Sequence, residues 1–390
     1  MMKIGIFGGS FDPVHKEHTN FARAAIAELG LDMLFVMPAH TPPHKPDRVL
    51  SSNENRLQMC KIAFGNIPKV QVSDYEINKA ETSYTYLTCQ HFRELYPTAE
   101  IYFLVGTDML RDFPTWKEPE TILNLVQLAV CGRNEKEGWW EEEQKAFFER
   151  FSKNFVRVDY EGKDISSTLI RVLAGAGMRL TEFVDERVEA YIYEKGLYKI
   201  ENAPLALALE TEKRKAHSVR VAVLAAKRAL PLHISERKAI TAALFHDCGK
   251  YLALDDPILQ GFVLPDAWGE VPPSVVHQFI GAYLTEKRFG ISDCDIVNAV
   301  RYHTSGREDM SELEKLIFLA DMLEEERSYE GVDELRTLFW QGQGLDECLE
   351  KALFETIVFL EKKKADIYPL TRKAYEFYKK RKENYGRNHE

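Results

Sequence analysis

The chain has 390 residues, of which 45% are hydrophobic and 29% charged, and its formal net charge is −10. This length allows two or three domains with separate cores, and the composition is that of an ordinary soluble protein. The negative charge excludes a bulk electrostatic attraction to nucleic acid, so any nucleotide must be held by local sites. Six scattered cysteines without a CxxC spacing, no signal peptide and no apolar run of ~20 residues lead us to expect a cytoplasmic protein.

The opening of the chain carries its most informative motif. An apolar strand leads into the pair Gly8-Gly9, and His15 and His18 follow at the start of a predicted helix. Glycines allow the backbone to close on a ligand without an intervening Cβ atom, and a helix N-terminus suits a phosphate. The two imidazoles, one turn apart, would face that phosphate as donors. The motif therefore predicts a site that holds a nucleoside triphosphate while another molecule, rather than a protein nucleophile, attacks it.

Residues 1–199 alternate strand-like and helix-like segments. Short apolar runs rich in Val, Ile and Phe predict strands buried on both faces, and helical patterns lie between them, as at Asn53–Phe64 and Thr85–Leu95. Repeated βα units predict an α/β fold with a doubly wound parallel sheet, on which ligands bind beyond the C-terminal ends of the strands. The six predicted strands are Lys3–Phe7, Met33–Met37, Val70–Tyr75, Ile101–Val105, Gln127–Cys131 and Phe155–Val158.

The second half of the chain has a different pattern. Beyond about residue 200 the strand-like runs end, and long helical patterns continue to a Lys/Arg/Glu-rich segment at 361–387. This half is predicted to be an all-α helical bundle. We therefore expect two domains, 1–199 and 200–390.

Several further segments of the first half belong with the opening motif. Lys45 lies in a proline-stiffened loop after the second strand, Trp116 follows the fourth strand, and Arg171 lies near a helix cap that carries hydroxyl groups. With the opening motif and the ending at 191–198, these segments resemble the nicotinate mononucleotide adenylyltransferases of the nucleotidyltransferase superfamily. The resemblance covers nearly all of residues 1–199. The other candidate substrate-binding residues are Gly8, Gly9, Ser10, Phe11, Ser83, Tyr84, Thr85, Gly106, Asp108, Ser166 and Ser167.

This resemblance implies the roles of the phosphate-binding residues. His15 and His18 would stabilise the charge on the α-phosphate of ATP while the phosphate of nicotinate mononucleotide attacks it. Lys45 and Arg171 would neutralise the β- and γ-phosphates together with Mg²⁺. Such a transfer depends on positioning and charge stabilisation rather than on covalent catalysis, which agrees with the residue types.

The resemblance also implies how the two substrates are held, and it contains one departure. Asp108 would bind the adenosine ribose, Trp116 would stack on the nicotinate ring, and Thr85 would lie near the nicotinate carboxylate. Glu17, however, stands between the two histidines where the family has glycine. A carboxylate at this position should repel a triphosphate unless its side chain points away from the site or meets the metal.

In the second half, four histidines and two aspartates lie within apolar helical patterns. Adjacent His246 and Asp247 point about 100° apart on a helix, so both reach one cavity only if neighbouring helices close around it. The other four residues supply such neighbours. A set of His and Asp ligands with water in the open positions suits iron, manganese or magnesium, and two ions could be bridged by Asp247. The six candidate metal ligands are His217, His246, Asp247, His277, His303 and Asp321.

These positions resemble the HD-domain phosphohydrolases, and within them the YqeK-type bacterial enzymes that split diadenosine tetraphosphate symmetrically into two ADP. The resemblance implies that the six residues bind two divalent ions, iron or, as the alternative, manganese. It also implies that Lys250 and Arg327 contact phosphates, with Lys250 in a catalytic role. The resemblance covers about residues 205–370, and the matching segments are 242–250, 303–306 and 319–321 with Arg327.

Two positions beside this second site depart from the family pattern. Glu325-Glu326 stand where Pro-Gly is frequent, and Gln278 follows His277 where glycine is usual. Either change could alter the choice of substrate without removing the metal ligands.

The favoured interpretation is a bifunctional enzyme of NAD and dinucleotide metabolism. Its partners would be ATP, nicotinate mononucleotide and diadenosine tetraphosphate, with no nucleic acid and no membrane, and a homo-oligomer stays open. The helical half could instead be a nucleotidase or pyrophosphohydrolase of other nucleotides, or a nucleotide-binding regulatory module. The first half could use pantetheine phosphate or an amidated mononucleotide. A tRNA synthetase is disfavoured because a KMSKS-like loop and a large basic face are missing from the sequence.

Overall fold

The structure is a computed structural model, and it divides into two compact units. It describes residues 1–387 except 41–49, 80–83, 133–137, 161, 265, 268 and 343, with side chains as far as residue 382. The first unit consists of Met1–Arg171 with Arg179–Leu197, and the second of Val172–Met178 with Tyr198–Glu390.

A six-stranded sheet forms the centre of the first unit. Its strands are β1 (Lys3–Gly9), β2 (Met33–Pro38), β3 (Val70–Val72), β4 (Glu100–Gly106), β5 (Gln127–Cys131) and β6 (Val156–Val158). All neighbouring strands are parallel, in the order β3-β2-β1-β4-β5-β6. The predicted doubly wound parallel sheet is therefore confirmed. Because the strand order reverses between β1 and β4, the loops that follow these two strands diverge and leave a crevice at their C-terminal ends.

Two predicted strands are too long: the sixth begins at Val156 instead of Phe155, and the third ends early. The sequence pattern extends the third strand to Tyr75, but β3 ends at Val72. The N–H of Ser73 still donates to the carbonyl of Val36, and the chain then enters a turn in which Ser73 Oγ accepts from the N–H of Tyr75. The ring of Tyr75 stacks on His91 at a centroid distance of 3.9 Å instead of continuing the sheet. A local side-chain hydrogen bond thus ends the strand before its apolar pattern does.

Helices cover both faces of the sheet. The helix that follows β1 buries Phe21, Ala22, Ala25 and Leu29 at the spacing expected for one face, and it ends at Gly30, whose φ of 64° is left-handed. Two predicted helices, at 53–64 and 85–95, have the predicted bounds. The helices of this part of the chain are α1 (Lys16–Leu29), α2 (Asn53–Phe64), α3 (Thr85–Leu95), α4 (Thr107–Asp112), α5 (Pro119–Leu125), α6 (Trp139–Phe151), α7 (Ser167–Gly175) and α8 (Glu186–Glu194).

In the described residues of the second unit every secondary-structure element is a helix, as predicted. Its helices are α9 (Ala203–Leu207), α10 (Glu212–Ala229), α11 (Glu236–Phe245), α12 (Pro273–Tyr283), α13 (Cys294–Tyr302), α14 (Glu312–Leu323), α15 (Val332–Gln341), α16 (Asp346–Lys362) and α17 (Pro369–Arg387). Neither unit contains, among its described residues, a helix with the length and apolar character needed to cross a membrane.

A close backbone approach brings the turn after α11 against α12. A Cβ atom at Gly249 would lie 2.7 Å from both the backbone nitrogen of Gly281 and the carbonyl oxygen of His277. A larger residue at 249 would therefore push α12 away. Glycine at this position lets His246 and Asp247, at the end of α11, approach His277 on α12.

Candidate active sites

A cavity of about 410 Å³ opens at the C-terminal ends of the strands in the first unit. Its wall is formed by the loops that follow β1, β4 and β6, together with the start of α3. The structure thus brings together segments that lie more than 150 residues apart in the chain. The predicted site residues that line it are Gly8, Gly9, Ser10, Phe11, His15, His18, Thr85, Gly106, Asp108, Trp116, Ser166, Ser167 and Arg171.

The two histidines of the opening motif lie side by side at the start of α1. Their rings stack with centroids 3.6 Å apart and planes inclined by 24°. The backbone N–H of His15 donates to Nδ1 of His18 at 3.1 Å. Because Nδ1 of His18 accepts this bond, a neutral His18 carries its proton on Nε2. The Phe11 ring packs edge-on against His18, with centroids 5.0 Å apart, and fixes its orientation.

The loop after β6 is tied to the loop after β1 by two hydrogen bonds to backbone carbonyls. Arg171 Nη1 donates to the carbonyl of Asp12 at 2.6 Å, and Ser167 Oγ donates to the carbonyl of Pro13 at 3.0 Å. Arg171 is buried and also donates from Nη2 to Thr168 Oγ1. The guanidinium is therefore held at the cavity wall on the same side as the two histidines, where a polyphosphate would find a fixed positive charge.

The contacts of Glu17 explain how its carboxylate is accommodated between the two histidines. It is buried, and its Oε2 accepts hydrogen bonds from the Tyr160 hydroxyl at 2.7 Å and from the backbone N–H of Lys163 at 2.8 Å. Asn20 Nδ2 donates to Oε1 at 3.3 Å. Burial and the bond to Glu17 raise the pKa of Tyr160 to about 12, so the hydroxyl stays a donor. Glu17 lines the cavity, but its oxygen atoms serve to anchor the segment that leads to Ser166.

The side of the cavity below β4 carries the residues predicted to bind ribose and nicotinate. A Cβ atom at Gly106 would lie 2.6 Å from Asp108 Oδ1, so glycine is needed for this carboxylate to turn back over the end of the strand. Trp116 is buried against Phe103 and Phe113, with ring centroids 6.1 and 5.3 Å away, and it also lines the cavity. The indole therefore belongs to the core and to the cavity wall at the same time.

One predicted substrate-binding residue of the first half that the structure describes is not found at the cavity wall. Tyr84 precedes α3, where its ring lies under the Lys117 ammonium at 4.3 Å, and it is absent from the lining. Lys45 and Ser83 lie outside the described residues.

Sequence reasoning missed several acidic residues of the same wall. Among the described lining residues, five carry a carboxylate, although that of Glu17 is engaged as described above, and Arg171 is the single arginine or lysine. A polyanionic ligand in such a pocket requires additional positive charge, such as a divalent cation that accompanies it. Glu76, for example, accepts from Thr88 Oγ1 at 2.6 Å, and nothing in its sequence context distinguishes it from a surface glutamate. The five carboxylates belong to Asp12, Glu17, Glu76, Asp108 and Asp112.

In the second unit the six predicted ligands converge on one buried cluster. His277 Nε2 lies 3.1 Å from His303 Nε2 and 3.3 Å from Asp247 Oδ1. His217 Nε2 lies 2.8 Å from Asp321 Oδ1, which is 3.9 Å from His246 Nε2. Sequence spacing could not place these atoms together, because they come from helices α10, α12 and α14 and from the residues that directly follow α11 and α13.

The histidine rings of this cluster are oriented by backbone carbonyls. Nδ1 of His246 contacts the carbonyl of Ala243 at 2.6 Å, and Nδ1 of His303 contacts that of Val300 at 2.7 Å. With Nδ1 as the donor, each Nε2 lone pair points into the cluster, as metal-ligating histidines require. Among the described residues, His246 Nε2 has no hydrogen-bond partner, which suits an atom that binds a metal.

Two of the rings, His277 and His303, have the neutral form that a ligand set requires, whereas His246 must lose a proton when a metal binds. Burial, with His303 and Lys250 nearby, lowers the pKa of His277 to about 2, so that its ring is neutral. Burial likewise lowers the pKa of His303. Burial opposes the charged form of His246 as well, but the adjacent Asp247 carboxylate outweighs this effect and raises its pKa to about 9.

Asp247 occupies the centre of the cluster. Its Oδ2 lies 3.4 Å from His246 Nε2, whereas its Oδ1 lies 3.3 Å from His277 Nε2 and 3.5 Å from His303 Nε2. The two carboxylate oxygens thus face two different groups of donors. Each potential ligand group has atoms within 4.8 Å of one another, and two of the groups, His217/His246/Asp247 and Asp247/His277/His303, share Asp247.

Three cations adjoin the cluster, two of them predicted. Lys250 Nζ lies 3.0 Å from His277 Nε2 and 3.5 Å from Asp247 Oδ1. Arg327 Nη2 donates to Asp321 Oδ1 at 2.6 Å. The third, Arg214, contacts Asp247 Oδ2 at 2.9 Å and was missed, although its position one turn before His217 places it on the same face of α10.

A buried carboxylate behind His217 was also missed. Glu324 Oε1 lies 3.1 Å from His217 Nδ1, and Arg220 Nε donates to Glu324 Oε2 at 2.6 Å. Burial raises the pKa of Glu324, but Arg220 outweighs this effect and holds it below its usual value. A carboxylate on the far nitrogen of a ligating histidine fixes the ring and strengthens its basicity. The position of Glu324, three residues after Asp321, was the available signal.

Comparisons with known proteins find a different family model in each half of the chain. Residues 6–173 match the family model described as cytidylyltransferase-like, and residues 214–326 match the HD domain. A Mycoplasma genitalium protein named "Probable nicotinate-nucleotide adenylyltransferase/Ap4A hydrolase" is 31% identical over 333 residues, which cover 84% of this chain and 89% of that protein. The chain belongs to the family of this protein.

Other relatives match one half each. A Clostridium kluyveri protein named "Probable nicotinate-nucleotide adenylyltransferase" is 37% identical over 203 residues, 51% of this chain and 100% of that protein. A solved structure from Clostridium acetobutylicum, a "predicted HD superfamily hydrolase involved in NAD metabolism", is 31% identical, covers 48% of this chain and 97% of that one, and has a TM-score of 0.42. The HD match and the His/Asp cluster together indicate a divalent-metal site in this family member.

Proposed function

We propose that the chain is a bifunctional enzyme with its two activities in residues 1–199 and 200–390. The first half transfers the AMP group of ATP to nicotinate mononucleotide and yields deamido-NAD and pyrophosphate. The second half hydrolyses diadenosine tetraphosphate symmetrically to two ADP. The observation that carries the proposal is the coexistence in one family member of a histidine-lined nucleotide cavity and a six-residue His/Asp cluster.

In the first reaction, an oxygen of the mononucleotide phosphate forms a bond to the α-phosphorus of ATP, and the bond from that phosphorus to the bridging oxygen breaks. Pyrophosphate leaves with the electron pair. Nε2–H of His18 is placed to donate to an oxygen of the α-phosphate, where charge develops, and His15 is stacked beside it. Arg171 and the hydroxyls of Ser166 and Ser167 hold the phosphates that leave.

A magnesium ion accompanies ATP in this proposal. The five carboxylates of the cavity wall support it, because without added positive charge they would oppose a triphosphate. Trp116 and Thr85 receive the nicotinate mononucleotide, and Asp108 receives the adenosine ribose. Lys45 is proposed as a further phosphate contact.

In the second reaction, water forms a bond to one of the two inner phosphorus atoms, and the bond from that atom to the central bridging oxygen breaks. Two divalent ions, iron or manganese, supply charge and an activated water when they are bound. The six His and Asp residues would hold these ions, and Asp247 would be the ligand that they share. Lys250, Arg327 and Arg214 bind phosphate oxygens of the substrate.

Product analysis of the intact protein tests both activities. The protein is supplied with ATP and either nicotinate or nicotinamide mononucleotide, and separately with dinucleoside polyphosphates, while its metal content is determined by elemental analysis. We expect deamido-NAD and pyrophosphate from the first mixture and ADP alone from diadenosine tetraphosphate. A preference for the nicotinamide substrate, or AMP and ATP as hydrolysis products, would contradict the respective half of the proposal.

A further inference from the structure

Gln278 lies beside the metal cluster at the position where the HD-domain pattern favours glycine. Its side chain is fully buried, at 0% exposure, immediately after His277 in α12. The Oε1 atom accepts from the backbone N–H groups of Thr304 and Ser305 at 3.1 and 3.0 Å. The Nε2 atom donates to Ser305 Oγ at 2.9 Å. One side chain thus forms three hydrogen bonds to the turn that follows His303.

These bonds connect two elements that each carry a candidate ligand. His277 and Gln278 are neighbours on α12, and His303 directly precedes the two N–H groups that Gln278 binds. The hydrogen bonds lie next to the point at which the rings of His277 and His303 approach each other, with 3.1 Å between their Nε2 atoms. They also place Thr304 Oγ1 at 3.0 Å from His277 Nε2. No glycine could supply this connection, because it has no side chain.

The energetics favour a fixed geometry. A buried amide group is costly unless its oxygen and nitrogen both find partners, and both do so here. Loss of the side chain would leave the buried N–H of Ser305 and the partly buried N–H of Thr304 without their acceptor, so the turn after His303 would have to move to satisfy them. Any such movement changes the separation between the ring nitrogens of His277 and His303.

We propose that Gln278 is a positioning residue that sets the distance between His277 and His303 and thereby the affinity of the ion held by Asp247, His277 and His303. The inference rests on the metal-binding part of the proposed function. The ion associated with His217 and His246 should depend much less on Gln278, because none of the three hydrogen bonds reaches those residues. Changes to partners of metal ligands typically cost ~10- to 100-fold in affinity.

The test is a metal titration of the full chain after removal of bound metal. Mn²⁺ is added to the wild type and to Gln278→Leu, which removes all three hydrogen bonds, and the stoichiometry and each dissociation constant are measured by calorimetry. Melting temperatures are recorded with and without Mn²⁺. Gln278→Gly is the second variant. It introduces the glycine that the HD-domain pattern favours, adds no bulky apolar group to the helix, and keeps the test possible if the leucine variant does not fold.

Two further variants separate positioning from general stability. Ser305→Ala removes the partner of Nε2, together with the local hydrogen bond from Ser305 Oγ to the Gly306 carbonyl, and should weaken the same ion by a smaller factor. Thr285→Val is the matched control, because Thr285 is equally buried and its hydroxyl donates to the carbonyl of Gly281 on the same helical segment. It should lower the melting temperature without a change in either dissociation constant.

We expect the wild type to bind two ions. In both Gln278 variants, the ion at Asp247, His277 and His303 should bind ~10- to 100-fold more weakly, and the affinity of the ion at His217 and His246 should be unchanged. Unchanged dissociation constants together with a lower metal-free melting temperature would overturn the inference, since Gln278 would then serve only the fold. Equal weakening of both ions would overturn it as well. A wild-type protein that binds no Mn²⁺ or Fe²⁺ would instead refute the metal-binding proposal itself, which makes the two failures distinguishable.

Discussion

The two candidate sites differ in how their functional side chains are held in position. In the first unit, the functional side chains are fixed mainly by backbone groups, as Arg171 is by the carbonyl of Asp12, and they surround a cavity of about 410 Å³. In the second unit, the functional side chains contact one another directly in a buried cluster. A reaction between two nucleotides needs space bordered by fixed donors. A metal centre needs donors that converge on a small volume.

The positions that depart from the family patterns behave alike in both units. Glu17 binds the segment of Tyr160 and Lys163, and Gln278 binds the turn after His303. Glu326, which replaces a glycine, pairs with Arg220 at 2.8 Å. Each of these side chains contacts a segment or a residue that supports a candidate site residue. The departures therefore add contacts behind the sites and leave the predicted ligands and donors in place.

The strongest test of the difference between the sites is Asp247→Ala. Since Asp247 faces both donor groups, we expect complete loss of dinucleotide hydrolysis and of bound metal, with nicotinate adenylation spared. Metal that binds only the folded state stabilises it by RT ln(1 + [L]/Kd), so the helical unit should melt earlier and added Fe²⁺ or Mn²⁺ should not restore it. Asp333→Ala, at a side chain that is 91% exposed, is the control.

Two results would contradict this prediction. Retention of metal in Asp247→Ala by elemental analysis would remove Asp247 from the ligand set. A parallel fall in adenylation would show that the two halves are coupled, which favours a regulatory role for the helical half.

The corresponding change in the first unit is His18→Ala. Removal of one preorganised donor to developing charge typically costs ~10²- to 10³-fold in rate, and we expect a fall in kcat of this size with an unchanged melting temperature. His91→Ala is a matched control, because His91 stacks on Tyr75 and lies outside the cavity wall. A His18→Ala variant with more than about a tenth of the wild-type rate would refute the role of His18.

Structural features could be predicted from sequence when the residues that determine them are close together in the chain, and not when their partners are far apart. The bounds of α2 and α3 and the position of Asp108 after β4 depend on nearby residues, so periodicity and motif spacing were sufficient. Tyr160 binds Glu17 from 143 residues away, and Glu324 binds His217 from 107 residues away. No local pattern reveals such a partner for Tyr160, and the local signal for Glu324 is limited to its position three residues after Asp321.

A smaller effect is expected from Trp116→Ala. Loss of stacking with an aromatic base typically costs ~1–3 kcal/mol, and we expect the KM for nicotinate mononucleotide to rise while the KM for ATP changes little. Because Trp116 also packs on Phe103 and Phe113, the variant should melt at a lower temperature. Trp116→Phe, which keeps an aromatic ring, should retain most of the affinity. Equal changes in both KM values would assign Trp116 to the core alone.

The smallest expected effect tests whether Glu17 anchors the phosphate-binding loop. Glu17→Gly has the family residue, but it removes the acceptor of the Tyr160 hydroxyl and of the Lys163 N–H. Each such hydrogen bond contributes ~1 kcal/mol net, so we expect kcat/KM for ATP to fall by about tenfold. Glu17→Gln keeps an oxygen that can accept both bonds and should retain most of the activity, and Tyr160→Phe should lose about half of the free energy lost by Glu17→Gly. A rise in activity in Glu17→Gly would show that the carboxylate repels the triphosphate. If Glu17→Gln loses as much activity as Glu17→Gly and also requires more Mg²⁺, the charge of Glu17 binds the metal. Anchoring is therefore supported only if the glutamine variant remains active.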